Sequence, residues 1–404
     1  MKVTGIIAEY NPFHKGHKYQ IDTLRKKYQP DYVVVAMSGD FVQRGTPALM
    51  DKYARAHMAL TQGADLVFEL PSYFATASAE TFAKGGILLF STTGVVNSIC
   101  FGAETDELRQ LQEVATILHK EPDWYRNALL SYMKEGMSFP AARAKALPQY
   151  ADLLESPNNI LAIEYLKSLQ AQKLSIDPIL IPRTGSGYHS TDLSAPNASA
   201  SAIRNHLLKE SDIHAKALPE TSYNIMKEYQ QEKAFLTEND FSLLLHHALL
   251  QESSDSLSKY ADMTPALANR LLQQRNNFLS WDDFCQQCNT KEITYSRISR
   301  VLTHLLLGIR QDMLLPYLSD TTATLPYLRI LGFRKDATPL LTALKTTAKA
   351  PLITSPASAE KALTNQGLTM LHTDIFASDL YRSILTNKCH CIFPNEYQRK
   401  FLSI

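Results

Sequence analysis

Five short, mainly apolar runs, each followed by a segment long enough for a helix, pattern the first two hundred residues and leave few folds open to the chain. The runs are Val3 to Ala8, Tyr32 to Met37, Leu66 to Leu70, Ser98 to Phe101 and Ile176 to Ile181. Between them lie helical stretches at His17 to Tyr28, Asp51 to Gln62, Ser78 to Phe90, Thr105 to about Met133 and Asn159 to Gln170. A strand that is apolar without alternation is buried on both faces, so helices must cover both sides of the sheet. The pattern predicts an α/β fold with a doubly wound parallel sheet. In such sheets ligands bind beyond the carboxyl ends of the strands, which directs attention to the loops starting at Glu9, Ser38, Gly102 and Pro182.

After about residue 210 the texture becomes helical, with segments at Phe241 to Gln251, Pro265 to Arg275, Tyr295 to Leu307 and Thr338 to Ala348. A chain of 404 residues exceeds what one core usually serves. Two domains are therefore expected: a catalytic domain over 1–210 and a mainly helical domain over 211–404. β-Prone pieces at Leu325 to Phe333 and Ala350 to Thr354 suggest a small α/β element near the end.

The strongest local signal is Gly5-Ile6-Ile7-Ala8-Glu9-Tyr10-Asn11-Pro12-Phe13-His14-Lys15-Gly16-His17-Lys18-Tyr19-Gln20. A strand ends at Ala8, Pro12 forces a turn, and a helix starts near His17. Gly16 allows a phosphate close to the backbone, and the unpaired N–H groups of a helix start favour an anion. His14 and His17 flank that point and can donate to phosphate oxygens, stabilising charge that develops at an attacked phosphorus. No covalent nucleophile is needed; positioning and charge stabilisation carry the chemistry. As lone residues these histidines would read as loop polar groups, but the strand and helix around them supply the context the mechanism requires.

His-x-Gly-His after a first strand resembles the signature of the HIGH-motif nucleotidyltransferase superfamily, whose sheet is of the HUP type. The longer strings GIIAEYNPFHKGHKYQI, SGDFVQRGTPALMDKYARAHMAL, GADLVFELP, SAETFAKGGI, FGAETDE and SPNNILAIEYLK together resemble the bacterial tRNA(Met) cytidine acetate ligase family. The resemblance spans the N-terminal domain, and YLRILGF near the end also looks familial. It implies activation of acetate by ATP as acetyl-adenylate, then acetyl transfer to the exocyclic amine of the wobble cytidine in elongator tRNA(Met). It also implies ATP contacts from Ile7 through Gln20 and from Gly102, Asn159 and Arg183, with magnesium accompanying the nucleotide.

The residues bear on those roles independently. Gly102 follows the fourth strand, where a residue without a side chain lets adenosine lie against the backbone. Asn159 precedes an apolar helix and reads equally as a helix cap or a nucleotide contact. Arg183 ends the last strand and suits a phosphate. Ser199 and Arg204, in Ala198-Ser199-Ala200-Ser201-Ala202-Ile203-Arg204, resemble a serine-rich phosphate motif. The preceding loop from Thr184 to Ser190 is rich in Gly and Ser, suited to folding over a ligand. No Lys-Met-Ser-Lys-Ser run occurs, which counts against a synthetase. Asp40, a candidate catalytic group, and Arg44 are candidates for the acetate or cytidine pocket, with a solvated turn as the alternative. Tyr295, Arg297, Arg300, Arg310, Arg329 and Arg334 form an aromatic-basic set for a tRNA surface, though solvated helix faces carry arginines too.

A net charge of +1 neither signals nor excludes a nucleic-acid partner. Five cysteines in a long chain indicate reduced thiols. One residue rather than two separates Cys389 from Cys391, so a zinc site with Cys285 and Cys288 is disfavoured and no protein metal site is expected. No secretory pattern and no apolar run of membrane-spanning length appears, which points to a cytoplasmic protein without a membrane partner. Two rivals remain: a small-molecule adenylyltransferase, for which the second domain is superfluous, and a non-catalytic nucleotide-dependent RNA-binding module, for which two intact histidines are superfluous.

Overall fold

The computed structural model describes residues 1–183, 198–210 and 212–404. Strands β1 (Val3–Ala8), β2 (Tyr32–Ser38), β5 (Leu66–Leu70), β6 (Ser98–Ala103) and β7 (Asp177–Pro182) pair in parallel in the order β5-β2-β1-β6-β7. A short antiparallel hairpin, β3 (Phe41–Val42) with β4 (Thr46–Pro47), follows β2. Winding runs outward in both directions from β1, so the switch point lies between the ends of β1 and β6.

Alternate residues of β2 fall into different cores, as burial on both faces requires. Val34 and Ala36 pack in the layer containing Phe68, Leu88 and Ile163; Val33, Val35 and Met37 pack with Ile21, Leu24 and Leu60. The second layer belongs to helices α1 (Lys15–Tyr28) and α2 (Lys52–Thr61). Asp51 starts α2 sharply because its Oδ1 accepts from the backbone N–H groups of Tyr53 and Ala54, at 2.8 and 2.9 Å.

The expected helix block from Thr105 to Met133 is two helices, Leu108–Lys120 and Asp123–Lys134, because Pro122 interrupts it. Helices Ser242–Leu250, Pro265–Gln274, Tyr295–Leu307 and Thr338–Thr347 match the expected segments within a residue. The β-prone pieces near the end do not form an element of their own. Strand β8 (Leu328–Phe333) pairs antiparallel to β5, and β9 (Leu352–Ile353) and β10 (Leu402–Ser403) pair with β8, completing an eight-stranded sheet. The core that starts at Val34 and Phe68 continues without a break into Trp281, Leu302 and Tyr381 of the helical part. Among the described residues, no helix is long and apolar enough to cross a membrane.

Candidate active site

A cavity of about 650 Å³ opens at the switch point, lined by the β1 end and its following turn, Gly102 and Glu104 after β6, and Ile181 to Arg183 at the end of β7. The helix Pro157–Ala171 adds Tyr165 to the wall, and the helix Tyr295–Leu307 adds Ser296 and Arg300.

α1 begins at Lys15, two residues earlier than its sequence suggests, because His14 is its cap. The Gly16 N–H donates to His14 Nδ1 at 3.0 Å, and the His14 N–H donates to His17 Nδ1 at 3.3 Å. The rings stack with centroids 3.8 Å apart, and Tyr10 meets His17 edge-on. Since each Nδ1 accepts, the proton of each neutral ring is assigned to Nε2. Burial, with Arg183 and Arg204 beside it, lowers the His14 pKa to about 3, and burial, with His14 and Arg183, holds His17 well below the usual range. The capping pattern therefore turns both histidines into neutral hydrogen-bond donors.

Arg55 is buried and ties the strand ends together: Nη1 donates to the carbonyls of Glu9 and Ser38 at 2.6 and 3.2 Å, and Nη2 to that of Gly39. Gly102 lies so close to Arg183 that a Cβ there would sit 3.3 Å from its Cγ. Asn159 is buried; its Oδ1 accepts from the N–H groups of Glu104 and Thr105 at 2.9 and 3.2 Å, which fixes the loop after β6. Its neighbour Asn158, not Asn159, reaches the cavity wall. Ser199 caps the helix Ala200–Glu210 by accepting from the Ala202 N–H. Arg204 donates from Nη1 to the Asn11 carbonyl at 2.6 Å, so it braces the turn before His14. Thr184 and the loop it begins lie outside the described residues.

Arg44 lines the cavity; Asp40 does not. Asp40 is buried beside α2, where its Oδ1 accepts from the Lys52 N–H at 2.8 Å and burial raises its pKa. It borders a second, much smaller cavity with Asp51 and Glu396. The basic set divides as well. Arg300 reaches the cavity while paired to Asp262 at 2.8 Å, and the loop beneath it is pressed close because Gly45, at φ +72°, leaves no room for a Cβ against the Arg300 backbone. Arg329 cannot face tRNA: it is buried between Glu69 and Glu396. Sequence reasoning missed Phe82 and Tyr165 as wall residues, since aromatic side chains on apolar helices look like any core residue.

A sheet whose winding reverses at a cavity walled by hydrogen-bond donors is the ligand-binding arrangement of open α/β folds, and the His-x-Gly-His cap narrows it to the HIGH nucleotidyltransferase class. The model of the family described as HIGH Nucleotidyl Transferase matches residues 1–393. Within that class the chain belongs to the tRNA(Met) cytidine acetate ligase family, which makes it a ligase. The tRNA(Met) cytidine acetate ligase of Clostridium perfringens is 36% identical, with 98% of this chain and 99% of that protein covered. That of Alkaliphilus metalliredigens is 35% identical, covering 96% and 95%. The crystal structure of apo Thermotoga maritima TmcAL matches at TM-score 0.92 and 31% identity over all of both chains. The same protein bound with alpha-thio ATP matches at 0.88, covering 100% of this chain and 99% of that one.

Proposed function

We propose that this chain joins acetate to ATP, releasing pyrophosphate, and passes the acetyl group from acetyl-adenylate to the exocyclic amine of the wobble cytidine in elongator tRNA(Met), in the cytoplasm. The observation that carries this is the pair of neutral imidazoles whose Nδ1 atoms are committed to the cap, leaving Nε2–H donors at the wall of a cavity that accommodates a nucleotide. Adenosine lies against Gly102 and the β7 end, with the triphosphate at the start of α1. An acetate oxygen attacks the α-phosphorus, pyrophosphate leaves, and His14 and His17 stabilise the added negative charge. Arg183 and Arg44 complement the phosphates and the carboxylate. Asn159, Ser199 and Arg204 act by holding the loops that line the site.

Magnesium is expected to travel with ATP. No cluster of three or more metal-ligating side chains occurs among the described residues, and both oxygens of Glu104 are taken by Asn158 and Asn159. The described residues thus supply no cage of their own, and an ion accompanying ATP would rest on phosphate oxygens and water.

No cysteine carries the acetyl group. Cys100 lies buried in β6, where burial pushes its thiol up to about 12, the opposite of an activated thiolate. Residues 1–210 perform adenylation on this reading, and the region after 210 contributes the tRNA surface, with Arg300 at the join. The deciding experiment measures pyrophosphate release from ATP with a panel of carboxylic acids, with and without total tRNA. Acetate-dependent release and acetylated cytidine in tRNA are expected; a nucleotide retained on a small-molecule product, with no tRNA requirement, would overturn the proposal.

A further inference from the structure

The two half-reactions proposed above differ in their proton inventory. Attack of acetate on the α-phosphorus expels pyrophosphate and needs no proton removed. In the transfer, the cytidine N4 lone pair attacks the acetyl carbon, the C–O bond to the adenylate breaks with its electrons leaving on AMP, and the nitrogen must lose one proton. That lone pair is delocalised into the pyrimidine ring, so the amine is a weak nucleophile and turns acidic only as the C–N bond forms. An oriented carboxylate is then a sufficient acceptor.

We infer that Glu9 is the catalytic residue that accepts this proton, a role that rests on the acetate-ligase reading. The cavity wall leaves little else among the described residues. His14 and His17 spend their Nδ1 lone pairs on the cap and present only donors. Arg44, Arg183 and Arg300 are donors by nature. Burial pushes the phenols of Tyr10 and Tyr165 above their ordinary range. Glu104 is engaged at both oxygens, Oε1 by the Asn158 side chain and Oε2 by the Asn159 N–H.

Glu9 follows the end of β1, beside the switch point and in the same turn as the histidines. Among the described residues it is held at two points: Arg55 Nη1 grips its carbonyl at 2.6 Å, and the Gln43 N–H donates to its Oε1 at 3.0 Å. The carboxylate thus meets the cavity from a fixed frame, which is the condition for general-base catalysis. A purely structural Glu9 would serve only to pin the hairpin loop through Gln43. Glutamine keeps an acceptor oxygen for that bond and loses the base, so the two roles separate.

The test bypasses ATP by supplying synthetic acetyl-adenylate and tRNA, with single-turnover formation of acetylated cytidine as the readout. Glu9→Gln should slow transfer by roughly a hundredfold or more while keeping the wild-type melting temperature. Glu9→Asp should recover part of the rate, and added formate, a diffusible base, should accelerate Glu9→Ala. Wild-type transfer by Glu9→Gln, or slow Glu9→Ala that formate leaves unchanged, overturns the inference and leaves the acetate-ligase reading standing. Failure of the wild type to transfer from acetyl-adenylate overturns that reading itself.

Discussion

Charged side chains crowd the strand ends in two places, the cleft after β1 and the interior behind α2, and they are satisfied in opposite ways. In the cleft, Arg55, Asn159 and Arg204 spend their hydrogen bonds on backbone atoms of the surrounding loops, and the histidines are left with donors at an open cavity. Behind α2, the charges spend themselves on one another. Lys52 Nζ lies 2.7 Å from Glu69 and 3.2 Å from Glu396, Arg329 bridges the same two carboxylates, Ser378 accepts from Lys52, and Tyr53 donates to Glu396. Burial alone would lower the Lys52 pKa, and Arg329 adds to that, yet Glu396 and Glu69 outweigh both; Glu396 in turn is held down to about 2 despite burial. The closed set joins α2 and β5 to segments more than 250 residues away. Donors left at an open cavity are available to a ligand, whereas charges paired in the interior hold distant segments together.

The largest effect expected from breaking this contrast falls on the closed side. Lys52→Met strips a buried partner from two carboxylates and should cost about 3–5 kcal/mol of stability, read by denaturant unfolding. Cutting the chain near residue 210 would do the same on a larger scale by removing Glu396, Arg329 and β8, so it is a poor assay of tRNA binding. A Lys52→Met protein as stable as the wild type would show that the network is not a clasp.

On the open side, His17→Ala should lower acetate-dependent pyrophosphate release by roughly a hundredfold or more. The same change removes the bond that caps the His14 N–H, so about 1 kcal/mol of stability should go with it. Wild-type release would remove His17 from the chemistry.

Acid sharpens the comparison. The folded His14 pKa lies near 3 against 6.5 unfolded, so the unfolded chain takes up a proton that the fold refuses. The stability this neutral ring supports is intact above pH 6.5 and is lost as pH falls toward 3, at up to about 1.4 kcal/mol per pH unit. An NMR titration of free enzyme should find the His14 ring neutral down to about pH 4; an inflection near 6.5 would contradict its burial.

Gly102→Ala brings a Cβ within 3.3 Å of the flexible Arg183 side chain, which can yield. A few-fold rise in KM for ATP is expected, under about 1 kcal/mol. Cys100→Ala should change least, leaving acetyl transfer within a few-fold. Label from acetate held covalently on the wild type and lost in this variant would overturn the cysteine-free route.

Most of the fold before residue 183 was legible because strands buried on both faces and helices of ten or more residues leave period and length as plain signals. The active turn was legible too, since glycine, proline and two histidines within six residues have few structural uses in common. The 25-residue helix Asn365–Cys389 was not, because its buried face carries Asp374 and Ser378, which belong to the ionic interior and erase the apolar period. Asp40 and Arg329 misled for the same reason: a charge in a sequence reads as solvated or catalytic until its partner is known.

By itself, then, the order of residues determined the parallel sheet, the turn that carries the two histidines and the family. The tertiary structure alone decided that the chain's last third completes the sheet, that Asn159 and Arg204 brace the cleft, that Asp40 lies outside its wall, and that the Gln43 N–H holds Glu9 Oε1. Those outcomes depend on pairings across tens to hundreds of residues, and local propensity and periodicity hold no record of which distant charge or strand edge will arrive to satisfy another.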